Sequence, residues 1–211
     1  MFGYASDVYE IGLFPLGLVL LPAERIPLHV FEARYKQLIG RCLEDGSLFG
    51  IVLAVESGLV AVGTKAKVVE VPGRWPDGRM NVIVEGRARF HLLQLTEGRT
   101  YVVGEAEDVV DEPGSSLEQE VLERCLEAHR RLAAVAGMDP PEIDLDPGDT
   151  AFRIAAQVDF GTSFKQELLE MRSEEARLSR LTDLLVGAAE TLELQKLARK
   201  RARGNGQAEL G

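Results

Sequence analysis

Hydrophobic and polar positions follow two rhythms along this chain, and the change falls near residue 112. Before it, short β-branched runs are broken by turn signals. After it, apolar residues recur at helical spacing almost to the end. In the first part, residues 13–16 and 18–21 read as extended segments. Pro15 must sit at an edge or bulge there, because it cannot donate a ladder hydrogen bond. The spacing of Phe31, Tyr35, Leu38, Ile39, Cys42 and Leu43 predicts a helix over 31–44, stopped by Gly46. Strands are predicted over 48–55, 59–62 and 66–71, and over 80–85 after the Pro76-Asp77-Gly78 turn. Gly86 breaks that run, through a positive φ or a bulge, and 90–95 and 101–110 complete the region. Six or seven strands with one helix suggest a small closed or nearly closed β structure, since an open sheet would leave hydrophobic edges.

The second part predicts three or four helices. Ser116-x-x-Gln119 and Ser163-x-x-Gln166 match the capping box, in which hydroxyl and side-chain carbonyl satisfy orphan backbone N–H groups. Gly137 and Gly161 stand where C-caps are expected, and Ser173 where a new helix would start. Phe164, Leu168, Met171, Leu178, Leu181, Leu185, Ala188 and Leu192 trace one bundle seam. Residues 105–123 mark the divide, with eight acidic residues and no Lys or Arg, and Pro113-Gly114-Ser115-Ser116 reads as a linker. The organisation expected is therefore a β domain over 1–112, a helical bundle over 113–200 and a disordered tail over 201–211.

Charge narrows the partners. A formal net charge of −10 over 211 residues argues against broad binding to nucleic acid or anionic membrane. No apolar run approaches the roughly 18 residues that span a bilayer. The start, MFGYASDVYEIG, lacks a basic region and makes a poor signal peptide, so a cytoplasmic protein is expected. Cys42 and Cys125 lie in separate apolar stripes, which indicates buried thiols in place of a disulfide framework or zinc site.

Candidate chemistry is sparse. His29, His91 and His129 have no second ligand at a metal spacing, and each is better read as structural or solvated. Gly58-x-x-x-x-Gly63-Thr64-Lys65 is superficially like a phosphate loop, but the order is wrong and no helix follows to receive the phosphate. No G-x-S-x-G elbow is present. The five basic residues of 196–203 are simplest as a solvated helix end. No catalytic residue, cofactor or metal is expected.

An ordered set of phrases does stand out. It begins with Leu13-Phe14-Pro15-Leu16-Gly17-Leu18-Val19-Leu20-Leu21-Pro22 and Ile26-Pro27-Leu28-His29-Val30-Phe31-Glu32-Ala33-Arg34-Tyr35. Leu48-Phe49-Gly50-Ile51-Val52-Leu53, Val62-Gly63-Thr64, Asp77-Gly78-Arg79-Met80-Asn81-Val82 and Glu85-Gly86-Arg87-Ala88-Arg89-Phe90 follow, and Tyr101 opens the last strand. The series resembles the Lon N-terminal domain family, also called the Lon substrate-binding domain, closely over 11–110 and more loosely through the helices. The resemblance implies an α+β fold: a PUA-like β pseudo-barrel with one inserted helix, followed by a C-terminal helical bundle. It implies a non-catalytic module that recognises unfolded polypeptide or a specific protein partner, acting as an adaptor or in quality control. RNA binding is the alternative, because PUA-like folds elsewhere bind RNA. The Walker motif, AAA+ region and Ser-Lys dyad of full Lon proteases do not occur in the sequence.

Binding candidates are Phe31, Glu32, Arg34, Tyr35, Arg89 and Phe90. Glu32, Arg34 and Arg89 are charged residues beside apolar ones in the most recognisable phrases. They form either a buried or half-buried ion pair fixing the helix against the barrel, which is favoured, or a polar rim around an apolar peptide groove formed with Phe31 and Tyr35.

Overall fold

A computed structural model describes residues 7–97, 99–112, 118–140, 142–143, 145 and 148–205, without side chains for 201–205. The chain divides into two compact units, and the division is not sequential. Unit 1 takes the residues up to Glu112 together with Ala155–Arg172, and unit 2 takes the remainder.

Seven strands make up the sheet of unit 1. They are β1 (Tyr9–Leu16), β2 (Arg25–Val30), β3 (Phe49–Val55), β4 (Gly58–Leu59), β5 (Val62–Arg74), β6 (Met80–Thr96) and β7 (Val103–Asp108). Pairings run β1-β7-β6-β5-β3-β4, and β1 also pairs in parallel with β3, so the path returns to its start. β2 pairs antiparallel with the first half of β6. The remaining pairings are antiparallel.

The two faces carry different cores. On β1, Leu13 joins Ile11, Val52, Phe90 and Ala106, while its neighbour Phe14 joins Leu28, Phe49, Ile51 and Val82, as period-2 alternation requires. β3 is buried throughout Phe49–Leu53, which explains its unbroken apolar run. Helix α1 (Ala33–Asp45) lays Tyr35, Leu38, Ile39 and Cys42 onto the second core and ends at Gly46 in the left-handed region.

Several expectations need correction. α1 begins two residues after Phe31, which is exposed, and Leu43 is exposed as well. Residues 18–21 are not a strand, although Val19, Leu20 and Leu21 are buried. Gly86 does not end a strand. β6 runs through it, and of the two expected alternatives the structure shows a register shift of the bulge kind there and no positive φ. The need for glycine there is steric, because a Cβ would stand 2.1 Å from the Leu21 carbonyl oxygen. Gly86 also donates to Glu24 O at 3.0 Å and accepts from Ala23 N at 2.9 Å, which binds the 21–24 turn to the sheet.

Helix α4 (Thr162–Glu170) shows why unit 1 is discontinuous. It buries Phe164, Leu168 and Leu169, and Lys165 pairs with the buried Glu24 at 2.5 Å. Gln166 donates to Val62 O at 3.1 Å, and Arg172 donates to Val110 O at 3.0 Å. The 113–200 stretch expected as one bundle is therefore shared between the two units. Ser163 is not a cap, since Gly161 (φ 77°) is the N-cap of α4 and not the C-cap of a preceding helix. Gln166 is buried, with its amide on Val62 and Glu170.

Unit 2 holds α2 (Gln119–Ala136), most of α3 (Thr150–Ala155) and α5 (Glu174–Asn205). α2 buries Val121, Cys125, Ala128 and Ala133, and α5 contributes Leu178, Leu181, Leu185 and Ala189, the last in place of Ala188. Arg131 of α2 pairs with Glu193 of α5 at 3.1 Å. Gly137 caps α2 in the left-handed region, and the Ser173 hydroxyl accepts from Ala176 N at 3.2 Å. The 113–116 linker, with Ser116 of the first capping box, lies outside the described residues. α5 extends to Asn205, five residues into the stretch expected to be disordered, because Arg201-Ala202-Arg203 are good helix formers. Residues 206–211 lie outside the described residues.

Both cysteines are buried and free. Burial pushes the Cys42 thiol up and raises Cys125 to about 11, so both hold even less thiolate near neutral pH than an exposed cysteine. A thiol reagent at pH 8 is expected to label neither group in the native protein within minutes, and both at once in strong denaturant. Rapid native labelling would contradict this packing.

Candidate functional site

β1 and β2 frame a groove of about 400 Å³ on unit 1. Each contributes three consecutive residues, Phe14-Pro15-Leu16 and Pro27-Leu28-His29. Successive side chains point to opposite faces, so the groove lies along the strand edges. These edges are open: β7 pairs with β1 only as far as Gly12, and β2 has β6 as its one partner among the described residues. The chain leaving β2 supplies Phe31 and Glu32, and the first turn of α1 supplies Arg34 and Tyr35.

The floor is apolar. Phe14 and Tyr35 stack at 3.9 Å between centroids, and both are buried. Burial pushes the Tyr35 phenol above its usual range. On the rim, Arg34 and Glu32 form an exposed ion pair at 2.8 Å, and the Arg34 guanidinium lies 4.6 Å from the Tyr35 ring centroid. An exposed aromatic rail leads away from the groove. Phe31 is 58% exposed and stacks at 5.8 Å on His29, which meets the edge of Trp75 at 6.0 Å. Trp75 is 40% exposed. His29 Nδ1 lies 2.6 Å from Asn81 Oδ1, which fixes the ring between the two aromatics.

Four of the six sequence candidates, Phe31, Glu32, Arg34 and Tyr35, therefore meet at one groove, and two do not. Phe90 is fully buried in the core with Leu13 and Val52. Arg89 is buried and donates to Leu169 O at 3.0 Å, to Met171 O at 2.5 Å and to Asp111. It neutralises the carbonyl end of α4 and fastens the chain on either side of it. The expected Glu32–Arg34–Arg89 group is thus two separate devices, a surface pair at the groove and a buried clamp.

His29, Trp75 and Pro27 are not among the binding candidates read from the sequence, whereas Pro15 sits at the open edge of β1 that its missing N–H requires. The signal was present in a lone Trp beside a Pro-Asp-Gly turn, but only the β2–β6 register brings that turn to His29. Lys65 of the phosphate-loop-like stretch is engaged with Asp108 at 2.6 Å. Among the described residues, no group of three His, Cys, Asp or Glu could hold a metal ion. No helix among them is long and apolar enough to cross a membrane.

The α+β framework is that of known Lon N-terminal domains. It superposes on the N-terminal domain of Lon protease from the Mycobacterium avium complex with a TM-score of 0.65 at 19% identity, covering 84% of this chain and 98% of that one. A Lon N-terminal domain protein from Xanthomonas campestris gives a TM-score of 0.62 at 26% identity, covering 82% and 96%. The family model for the ATP-dependent protease La (LON) substrate-binding domain matches residues 10–187, and the chain belongs to that family. Lon protease of Escherichia coli K12 is 26% identical over 94% of this chain and 27% of its own length. Lon protease of Bacillus thuringiensis is 26% identical over 88% and 25%. The chain thus spans about a quarter of the curated relatives it matches, and the match is to their substrate-binding region.

Proposed function

We propose that this chain is a non-catalytic polypeptide-recognition module, whose groove between β1, β2 and α1 receives apolar side chains of an exposed or unfolded segment. The observation that carries this reading is Phe31. A large aromatic side chain left 58% exposed at the mouth of an apolar groove gains by being covered. Membership of the substrate-binding family supports the same direction. An adaptor or quality-control role in the cytoplasm is the biological setting that fits it. The RNA-binding alternative finds no support in the family match.

Fluorescence anisotropy with a permanently unfolded reporter tests the reading. Saturable binding is expected, and Phe31→Ser should weaken it roughly tenfold, the loss of one well-placed anchor. The same change should move stability by no more than about 0.5 kcal/mol, as for other surface positions. Absence of saturable binding by the intact chain would sink the proposal.

A further inference from the structure

The groove opens onto a basic margin on a strongly acidic protein. Cations come together where the β5–β6 turn meets the start of α1: Lys36 and Arg79 contact the turn, Arg74 ends β5 and Arg34 lies in the first turn of α1. Lys36 Nζ donates to Asp77 O at 2.9 Å, which joins α1 to the turn, and Arg79 lies 5.9 Å from the Trp75 ring centroid. Two carboxylates stand among them, Glu32 paired with Arg34 and Asp77 paired with Arg79 at 2.6 Å. Four cations against two carboxylates leave an excess of two positive charges along this margin, with Asp77 shared between Arg79 and Lys36, while the whole chain carries −10. Arg79 lies against Trp75 at the end of the Phe31–His29–Trp75 rail, so a ligand on that rail would meet apolar contact and positive potential together.

The strand edges at the groove suit an extended ligand but limit backbone pairing. Pro27 on β2 and Pro15 on β1 offer no N–H, so strand addition loses donors on both sides. Side chains must then supply most of the recognition. We infer that the groove selects an extended polypeptide segment whose aromatic or aliphatic residues are flanked by Asp and Glu, with the apolar residues on the groove and rail and the carboxylates on the Lys36–Arg74–Arg79 margin. This rests on the polypeptide-recognition reading and names the class of segment taken.

The test uses the full chain and two short fluorescein-labelled peptides with the same Phe-Leu-Trp centre, one flanked by Asp and Glu, the other by Lys. At low ionic strength the acidic-flanked peptide is expected to bind about tenfold tighter. That advantage should fade near 1 M salt, where charges are screened beyond about 3 Å. Arg74→Glu with Arg79→Glu should reverse the preference, and the salt titration of the unaltered protein stands independently if that variant folds poorly. Equal binding of the two peptides would overturn the charge selection while leaving the groove reading intact. A preference for the basic peptide, or for a single-stranded oligonucleotide, would overturn it as well. Failure of both peptides to bind would remove the groove reading and this inference together.

Discussion

Arg177→Met is expected to destabilise the protein by about 3–5 kcal/mol, because it breaks a buried ion pair from one side. Arg177 is 0% exposed and holds Glu174 at 2.6 Å, donates to Gly148 O at 3.0 Å and lies 4.6 Å from the Phe152 ring centroid. Its partner is also buried, and Glu174 Oε1 accepts from Ala151 N at 2.9 Å. The pair therefore joins the start of α5 to the start of α3. Without the guanidinium, the Glu174 carboxylate is stranded in the interior with the Ala151 N–H to hold it, which is costly whether it stays charged or takes up a proton. Replacing both residues, with Glu174→Gln and Arg177→Met, removes the stranded charge and should recover part of the loss. Urea denaturation of the three proteins checks this, and a cost under about 1 kcal/mol for Arg177→Met would refute the burial argument.

Gly86→Ala is expected to cost about 3 kcal/mol, an unusually large effect for one methyl group. The new Cβ would meet Leu21 O at 2.1 Å and Leu21 C at 2.9 Å, and both are backbone atoms. Relief requires the 21–24 turn to lift, which strains the two hydrogen bonds between Gly86 and residues 23 and 24. Gly40→Ala is the control. It lies inside α1 with nothing within 4 Å of the added Cβ, and should stabilise by roughly 0.5–1 kcal/mol through helix propensity. Similar denaturation midpoints for the two variants would show that the close approach at Gly86 is not the reason for glycine.

The periodicities were legible where a single face decides burial. Tyr35, Leu38, Ile39 and Cys42 fall on one side of α1, and the continuous run of β3 marks a strand buried on both faces. Gly46 and Gly137 stop their helices where a left-handed residue is needed. What could not be read locally depends on partners distant in sequence. Phe31 continues the helical spacing, yet it belongs to the turn between β2 and α1. Gly86 looks like a breaker until Leu21 is seen against it. At the site, Phe31, Glu32, Arg34 and Tyr35 are found together because they are contiguous around one turn. Arg89 and Phe90 share their recognisable phrase for packing reasons, a clamp on α4 and a core ring. Trp75 reaches His29, at the end of the groove, through β-sheet register, which no local pattern encodes.

The return of residues 155–172 to unit 1 has a consequence for synthesis. Glu112 N donates to Arg172 O at 2.9 Å, and Arg89 grips Asp111 on one side and the end of α4 on the other. The β strands leave the ribosome first, but Glu24, Val62 and Arg89 each lack one of their hydrogen-bonding partners until Lys165, Gln166 and Leu169 have emerged. Unit 1 can close only after residue 172 has emerged, by which time α2 and α3 of unit 2 are already made. The two units are therefore bound to mature together during translation, and a fragment ending at 112 should be an aggregation-prone nascent-chain intermediate, not a self-sufficient domain.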